Sequence, residues 1–563
     1  MTGARRADKI AVIGAGVVGV PMAALLAEAG RGTTRVVIIQ RPSVSSGWKI
    51  AALNAGRNPL GGVEPGLEDL IAGTGAEGTL RASSDMGEAR DAAAILVCVQ
   101  TDKKGLHPDY GPLFGALDEL AVELRRRPAG PRPLVIIEST LAPTSMASDL
   151  SDFLAARGLQ DGESIDLGFS PNRVMPGHLL ERIRGADKIV SGLRPATAER
   201  IRTLYAGIVI EGQLHATNTL TAEIVKTLEN AARDVRIAFA VEVARTCDEA
   251  DVDFHRLRAE VNARLNRRDR ASVDPTAVPT GGLLVPTIGV GGHCLPKDGI
   301  LLLWRMLESG ADVSASLILE ARRINDESPE WAADRIERIL DPIDRSRIAL
   351  LGTAYRPDTA DTRNSPALAL GRILARRARS LRLHDPYVRA DDHRLTEYGL
   401  ADSFTNDLEA ALADAEIIVI GTAHAVYRSV PFKESVGPSV RSFFDGAHLF
   451  LRDEFAVRTL VYEGIGKGRK APSPDLAAAV EQSFRAVETG LANEVGRLIE
   501  FLNDGFASGE AERTSLETVR FLASTCTTGC ALAEPGPVGE SPVILGRSLR
   551  LPALAARVSG TER

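Results

Sequence analysis

Lys9-Ile10-Ala11-Val12-Ile13-Gly14-Ala15-Gly16-Val17-Val18-Gly19 decides the fold of this chain. A short apolar run of strand character leads into three glycines, and the Ala- and Leu-rich stretch Val18–Ala29 that follows has helical spacing. The glycines permit a tight turn and let a pyrophosphate approach the helix N-terminus, where free N–H groups and the helix dipole favour an anion. Gly14, Gly16, Val17, Val18 and Gly19 are therefore candidate cofactor-binding residues. An acidic residue is expected about 20 residues further on, to bind ribose hydroxyls. Gln40 stands there instead, followed by Arg41. Gln40 can still hydrogen-bond a ribose, but the missing carboxylate and Arg41 leave NADP open beside NAD.

The same stretch resembles a signal peptide in one respect: Ile10 to Gly30 is almost wholly apolar and follows Arg5 and Arg6. Its glycines, Glu28 and the strand-like run Val36 to Ile39 directly after it argue against a targeting or membrane segment.

Outward from the turn, strand candidates alternate with helical stretches. They are Lys9–Ile13, Arg35–Gln40, Ala94–Val99, Leu134–Ser139 and Ile165–Ser170, the signature of a parallel sheet with crossover helices. From Thr219 to Ala250 the spacing predicts one long helix without Gly or Pro, of the kind that carries an interdomain or subunit interface. A second alternating block offers strands at Ile348–Leu351, Leu381–His384, Ile417–Gly421 and Phe443–Asp445, and Val461 to Gly468 reads as a closing turn. Lys467 to Pro474 has the composition of a linker. Beyond it the pattern predicts helices Leu476–Glu488, Leu491–Leu502 and Ser515–Ala523 and a Gly/Pro-rich tail. No short-period repeat is present. The expected architecture is α/β, with two Rossmann-like doubly wound domains joined by a long central helix region, plus a helical C-terminal extension. The expected boundaries are 1–212, 213–330, 331–468 and 469–563.

The 563 residues fit three or four domains of ordinary size, and 44% hydrophobic with 25% charged residues excludes a wholly disordered or membrane-embedded chain. A net charge of −7 argues against a general nucleic-acid binder. Five cysteines are too few for a disulfide scaffold and point to a reducing, cytoplasmic compartment. Cys526 and Cys530 have a spacing found in some metal sites, but no flanking His or Cys completes a ligand set, so no metal is expected. Cys98 and Cys247 read as small buried hydrophobes.

Cys294 is different. It lies in Gly289-Val290-Gly291-Gly292-His293-Cys294-Leu295-Pro296-Lys297-Asp298. Glycines let a substrate come close, and neighbouring cations favour a reactive thiolate. Lys226 and Asn230 stand four apart on the predicted long helix and so share a face. Arg264, Arg267, Arg268 and Arg270 precede the cysteine loop, either as a solvated face or as diphosphate contacts.

With these motifs in place, the chain resembles the nucleotide-sugar dehydrogenases, the family of UDP-glucose, GDP-mannose and UDP-N-acetylmannosamine dehydrogenases. The resemblance runs from about Lys9 to Gly468. It rests on the first glycine turn, Val97–Thr101, Glu138-Ser139-Thr140, Ser170–Gly177, Ala222–Asn230, the Cys294 loop, Gly352–Asp358, Asp361–Pro366 and Tyr462–Gly466. It implies a double, four-electron oxidation of a sugar C6 alcohol to the acid, with NAD as acceptor and a UDP-sugar as substrate. Cys294 is then the nucleophile, and Lys226 and Asn230 hold the oxygen. Asp298 and Thr140 handle water or protons, and Thr101 and Thr140 lie by the nicotinamide. Asn172, Arg173, Gly291, Gly292 and Arg363 join Lys226 and Asn230 as substrate-binding residues, Arg363 often acting across a dimer. The implied assembly is a homodimer or higher homo-oligomer, with no nucleic-acid or membrane partner. The chain departs from the pattern at Asn172, where many members carry Glu, and at Arg356, where Lys is usual. His293 is more typical of members acting on 2-acetamido sugars. Two other readings are a single-step β-hydroxyacid-type dehydrogenase, which needs no thiol, and a binding or regulatory protein on a decayed scaffold.

Overall fold

A computed structural model describes residues 8–43, 46–174, 176–265, 282–339, 343–430, 432, 439–454, 460–507, 509–525, 530–539 and 542–559. The chain folds as two compact units. The first comprises Met1–Glu229, Ile300–Asp312 and Arg497–Thr527, and the second Asn230–Gly299, Val313–Gly496 and Thr528–Arg563.

The first unit is built on eight strands: β1 (Asp8–Ile13), β2 (Thr34–Ile39), β3 (Leu80–Ser83), β4 (Ala94–Val97), then, past a small hairpin of β5 (Asp102–Lys104) and β6 (His107–Asp109), β7 (Leu134–Ile137), β8 (Asp166–Phe169), β9 (Lys188–Gly192) and β10 (Leu214–Thr217). Their order is β10-β9-β8-β7-β4-β1-β2-β3. All neighbours are parallel except β8 and β9. Strands β4, β7, β8 and β9 are buried along their whole length, as expected where helices cover both faces. The strand order reverses between β1 and β4, which opens a crevice at their carboxyl ends.

The second unit repeats the plan with β11 (Arg347–Leu351), β12 (Ser380–His384), β13 (Phe404–Thr405), β14 (Ile417–Ile420), β15 (Ser442–Asp445) and β16 (Val461–Gly464). The order is β13-β12-β11-β14-β15-β16, parallel throughout. The reversal falls between β11 and β14.

The predicted long helix is present as Thr219–Ala250, and Asp251 ends it with a left-handed φ of 59°. The predicted α/β class and helical regions are both present. Three readings need correction. Val461–Gly464 is a strand paired with β15 and not a turn. The two helices expected after the linker are one, Pro474–Phe506. Gly490 lies inside this helix, where a Cβ would stand 2.6 Å from Ala555 Cβ. The tail holds a further amphipathic helix, Arg550–Val558, whose Leu551, Ala555, Ala556 and Val558 are buried. The helix Leu516–Ser524 lies where one was expected. Among the described residues, no helix is long and apolar enough to cross a membrane.

Candidate active site

In the first unit the turn after β1 is tight on two sides and open on the third. Gly14 has a φ of 110°, and a Cβ there would stand 2.5 Å from Cys98 O. A Cβ on Gly19 would stand 1.9 Å from Gly14 O. Gly16 has no heavy atom within 4 Å of the position its Cβ would take, which leaves a free approach to the start of helix Gly19–Ala29. These residues fit a dinucleotide pyrophosphate. Val17 and Val18 pack partly buried against the sheet core. Gln40, expected at the ribose, is turned into the turn itself. Its Oε1 accepts from Ala15 N at 2.9 Å and its Nε2 donates to Ser46 Oγ at 3.0 Å. Arg41 is exposed beside it.

The far side of the crevice is laced together by side chains. Thr101 Oγ1 donates to Thr140 O at 2.8 Å, joining the loops after β4 and β7. Glu223, on the long helix one turn before Lys226, accepts from Thr144 N and Met146 N, both at 2.8 Å. Burial pushes its carboxyl up to about 8, against the pull of those two amides. Thr144 has a φ of 75°, so Glu223 holds a strained loop directly after Thr140. Lys226 is itself buried, with 8% exposure.

Asn172 lies in a buried cluster. Its Nδ2 donates to Glu138, and its Oδ1 accepts from Lys188 Nζ at 3.2 Å. Lys188 also donates to Glu138 Oε2 at 3.0 Å, and Tyr205 OH donates to Oε1. Burial raises the Glu138 carboxyl despite Lys188 and lowers the Lys188 ammonium despite Glu138. Both ends of the Asn172 amide are thus engaged with protein. Arg173 is likewise committed: it pairs with buried Glu229 at 2.6 Å and donates to Thr525 Oγ1 and Leu522 O. Sequence reasoning missed Glu138, Lys188, Tyr205 and Glu223. Glu138 and Glu223 stand inside quoted motifs but carried no expected role there; nothing local marks the other two.

In the second unit Cys294 is exposed and directly precedes helix Leu295–Ser309. Its carbonyl accepts from Lys297 N at 3.2 Å and Asp298 N at 2.9 Å, so it begins the first turn. Asp298 is fully buried, with Oδ1 on Lys297 Nζ and Oδ2 on Asn230 Nδ2, both at 2.6 Å. The structure therefore brings Cys294, Asp298 and Asn230 together.

Gly291 and Gly292 are glycines for a steric reason. A Cβ on Gly291 would meet Tyr355 Cβ at 2.5 Å, and one on Gly292, where φ is 84°, would meet the Tyr355 ring at 2.8 Å. Gly292 N donates to Arg363 O at 2.8 Å, and Asn364 Nδ2 donates to Gly292 O at 2.9 Å. The cysteine loop is thus moulded onto the motif that follows β11. Arg363 forms a fork with Asp361, which raises its pKa further. Asn262 closes the base of the segment before the cysteine loop through both backbone groups of Leu283. Arg264 donates to Pro474 O, while Arg267, Arg268, Arg270 and Cys526 lie outside the described residues.

The glycine turn after β11 is filled from within. Asp385, at the end of β12, accepts from Thr353 N at 2.7 Å, Ala354 N at 3.0 Å, Tyr387 N at 2.9 Å and Val388 N at 3.0 Å. His424 Nε2 lies 3.0 Å from it. Burial opposes its charge, but His424 and these amides outweigh burial and hold the carboxyl at about 2. Among the described residues no group of His, Cys, Asp and Glu is placed to hold a metal.

A glycine turn open to a pyrophosphate, at the switch point of a largely parallel sheet, has the form of a dinucleotide-binding site. The UDP-glucose/GDP-mannose dehydrogenase family matches the chain in three parts: its NAD binding domain over residues 8–209, its central domain over 220–327 and its UDP binding domain over 349–450. A UDP-N-acetyl-D-mannosamine dehydrogenase of Pyrococcus horikoshii is 33% identical over 468 residues, 82% of this chain and 99% of that protein. An NDP-N-acetyl-D-galactosaminuronic acid dehydrogenase of Ralstonia nicotianae is 31% identical, over 75% of this chain and 92% of that protein. A solved UDP-D-ManNAc dehydrogenase structure from Pyrococcus horikoshii superimposes with a TM-score of 0.69 at 31% identity, covering 82% of this chain and 99% of that one. The chain belongs to the UDP-glucose/GDP-mannose dehydrogenase family, and is an NAD-dependent oxidoreductase of nucleotide sugars.

Proposed function

We propose that the chain oxidises the C6 alcohol of a UDP-linked 2-acetamido sugar to the uronic acid, in two hydride transfers on one enzyme. The observation that carries this reading is the exposed Cys294 thiol at the head of a helix, one turn before buried Asp298 and its partners Asn230 and Lys297. NAD, when bound, supplies the hydride acceptor for each oxidation, and the turn Gly14–Gly19 would hold its pyrophosphate. The first oxidation yields an aldehyde and a released proton. Cys294 thiolate adds to the aldehyde carbon, giving an sp³ thiohemiacetal alkoxide that can lose its hydride. Loss of that hydride leaves a thioester on Cys294. Water then adds, the C–S bond breaks, and acid and free thiol are regenerated.

Negative charge gathers on the former aldehyde oxygen at each tetrahedral stage. Donors fixed beforehand stabilise such charge without reorganising. Asn230 and Lys226, four residues apart on one helix, are the proposed donors. Asp298 is the proposed proton acceptor during hydrolysis, since Asn172 has no basic group and both ends of its amide are engaged. Thr101 and Thr140 are proposed at the nicotinamide end, and Arg363 at the diphosphate. The acetamido sugar is favoured by His293 and by the names of the relatives, which specify N-acetyl sugars. A homo-oligomer in the cytoplasm completes the proposal.

The test is cofactor stoichiometry over a panel of nucleotide sugars. Two reduced nicotinamides per sugar and an acid product are expected, and Cys294→Ser should form no net acid. One equivalent with free aldehyde released would favour the single-step dehydrogenase. Acid formation by the serine variant at the parent rate would remove Cys294 from the mechanism.

A further inference from the structure

In the first unit the segment that leaves β7 is pinned at every second residue by side chains from distant positions. Thr140 O accepts from Thr101 Oγ1, and Ala142 N donates to the buried Tyr110 hydroxyl at 2.7 Å. Thr144 N and Met146 N donate to the two oxygens of Glu223. Leu141 to Met146 are all buried, Thr144 is left-handed, and a π-helical turn, Met146–Leu150, closes the segment. A left-handed threonine persists only where its surroundings impose it, and π-helical turns are rare and often stand at functional sites.

Arg305, in the part of helix Leu295–Ser309 that belongs to the first unit, grips the same segment. Its Nε donates to Thr144 Oγ1 at 2.7 Å, and its Nη2 donates to Ser148 Oγ at 2.9 Å and Asp149 Oδ2 at 2.8 Å. Its Nη1 donates to Glu308 Oε2 at 2.8 Å, and the guanidinium lies 5.6 Å from the centre of the Phe506 ring. The Arg305 side chain is only 7% exposed, whereas Asp149 and Glu308 are half-exposed, so those two ion pairs contribute little to stability. The specific feature is the inner nitrogen of the fork, which is aimed at the hydroxyl of the strained threonine. The same charge acts on Glu223: burial pushes that carboxyl up, and Arg305 pulls it back toward the carboxylate that both amides need. Thr144 is thus held by its backbone from Glu223 and by its side chain from Arg305. The Tyr110 hydroxyl that holds Ala142 also meets Ser145 Oγ at 3.2 Å, which couples movement at Thr144 to Ala142 and so to Thr140.

We infer that Arg305 is a positioning residue for hydride transfer: through Thr144 it keeps Thr140 at a constant place beside the nicotinamide. The inference rests on the place proposed above for Thr140. Arg305→Met keeps an unbranched apolar stem and removes the guanidinium. With the full-length protein and the nucleotide sugar that the panel selects, kcat should fall at least about tenfold, since a misplacement of about 1 Å can cost about a hundredfold. Calorimetric affinities for NAD and for UDP should stay within about threefold, roughly 0.7 kcal/mol. The isotope effect on kcat from deuterium at C6 should rise, because hydride transfer becomes the slow step. A variant that had merely lost folded molecules would keep the parent isotope effect. Thr144→Val removes the hydroxyl and keeps the shape. It should also lower kcat, and the double variant should lie within about threefold of Arg305→Met alone, because both break one path. A smaller kcat loss in Arg305→Met, an unchanged isotope effect, or losses that multiply in the double variant would overturn the inference. Thr140→Val separates it from the reading beneath it. Slowed hydride transfer there with a normal Arg305→Met would sink the role of Arg305 alone, whereas parental kcat in Thr140→Val would remove Thr140 from the nicotinamide and the inference with it.

Discussion

The two sheets carry the same device in two conditions. Each has a first strand, a glycine turn, a helix and a second strand, and each glycine stands in the left-handed region, Gly14 at 110° and Gly352 at 88°. Each also abuts the strand across the switch point, at Cys98 O and at the Thr422 side chain. The residue at the end of the second strand differs. In the first sheet neutral Gln40 takes one turn amide, and the Gly16 side stays open. In the second, Asp385 supplies a carboxylate to two turn amides and is completely buried. The second turn thus already contains its anion, and like charges repel a second one. Strand order and glycines build the cradle; the number of turn amides taken by the side chain at the end of the next strand decides how many are left for a ligand.

The sharpest test of this contrast is Asp385→Ala. It strands four backbone amides and His424, and should cost about 3–5 kcal/mol in a denaturant titration, against about 1 kcal/mol for Gln40→Ala. Equal losses would dissolve the distinction. Next in size, Gly14→Ala should weaken NAD binding at least about tenfold by calorimetry, roughly 1.4 kcal/mol, with the fold retained. Gly352→Ala should leave that affinity within about twofold, while both variants lower the melting temperature, since a side chain at positive φ costs about 1–2 kcal/mol. Gln40→Asp should then raise the preference for NAD over NADP, read as the ratio of kcat/KM values, because a carboxylate there meets ribose hydroxyls and repels a 2′-phosphate.

The smallest expected effect is a pair of opposite pH dependences. Asp385 is held at about 2, below its ordinary 3.8, so its stabilisation is complete above 3.8 and is lost as pH falls through 2. Burial pushes Asp248 the other way, to about 7, despite Arg335. Its folded form retains a proton that the unfolded chain has released, so stability falls as pH rises from about 4 to 7. Asp248→Asn should lessen the fall in melting temperature between about pH 4 and 7, leaving the part due to Glu223, and leave the acid limb unchanged.

Much of this was legible in the sequence. The turn Gly14–Gly19 and the central strands are local signals, and the 32-residue helix has no Gly or Pro to obscure its period. Short edge strands such as β3, β10 and β13 escaped because they are brief and only partly buried. The need for glycine at position 490, inside helix Pro474–Phe506, escaped because it comes from Ala555, 65 residues away. Cys294, Asp298 and Asn230 were legible by motif. That Gln40, Asn172 and Arg173 are engaged with protein was not, because each partner set is assembled by the fold from distant positions, Glu138 and Glu229 among them.

Cys294 and Asp298 owe their separation to something simpler than packing. The two stand at the start and finish of a single helical turn, joined by the hydrogen bond from Asp298 N to Cys294 O. The helical pitch, about 5.4 Å, therefore acts as a ruler between the backbone positions of the two residues. Substitutions around the sugar can reshape what is recognised without altering that interval. A change of substrate in this scaffold can therefore proceed by drift in the surrounding loops, with the proposed reacting pair inherited intact.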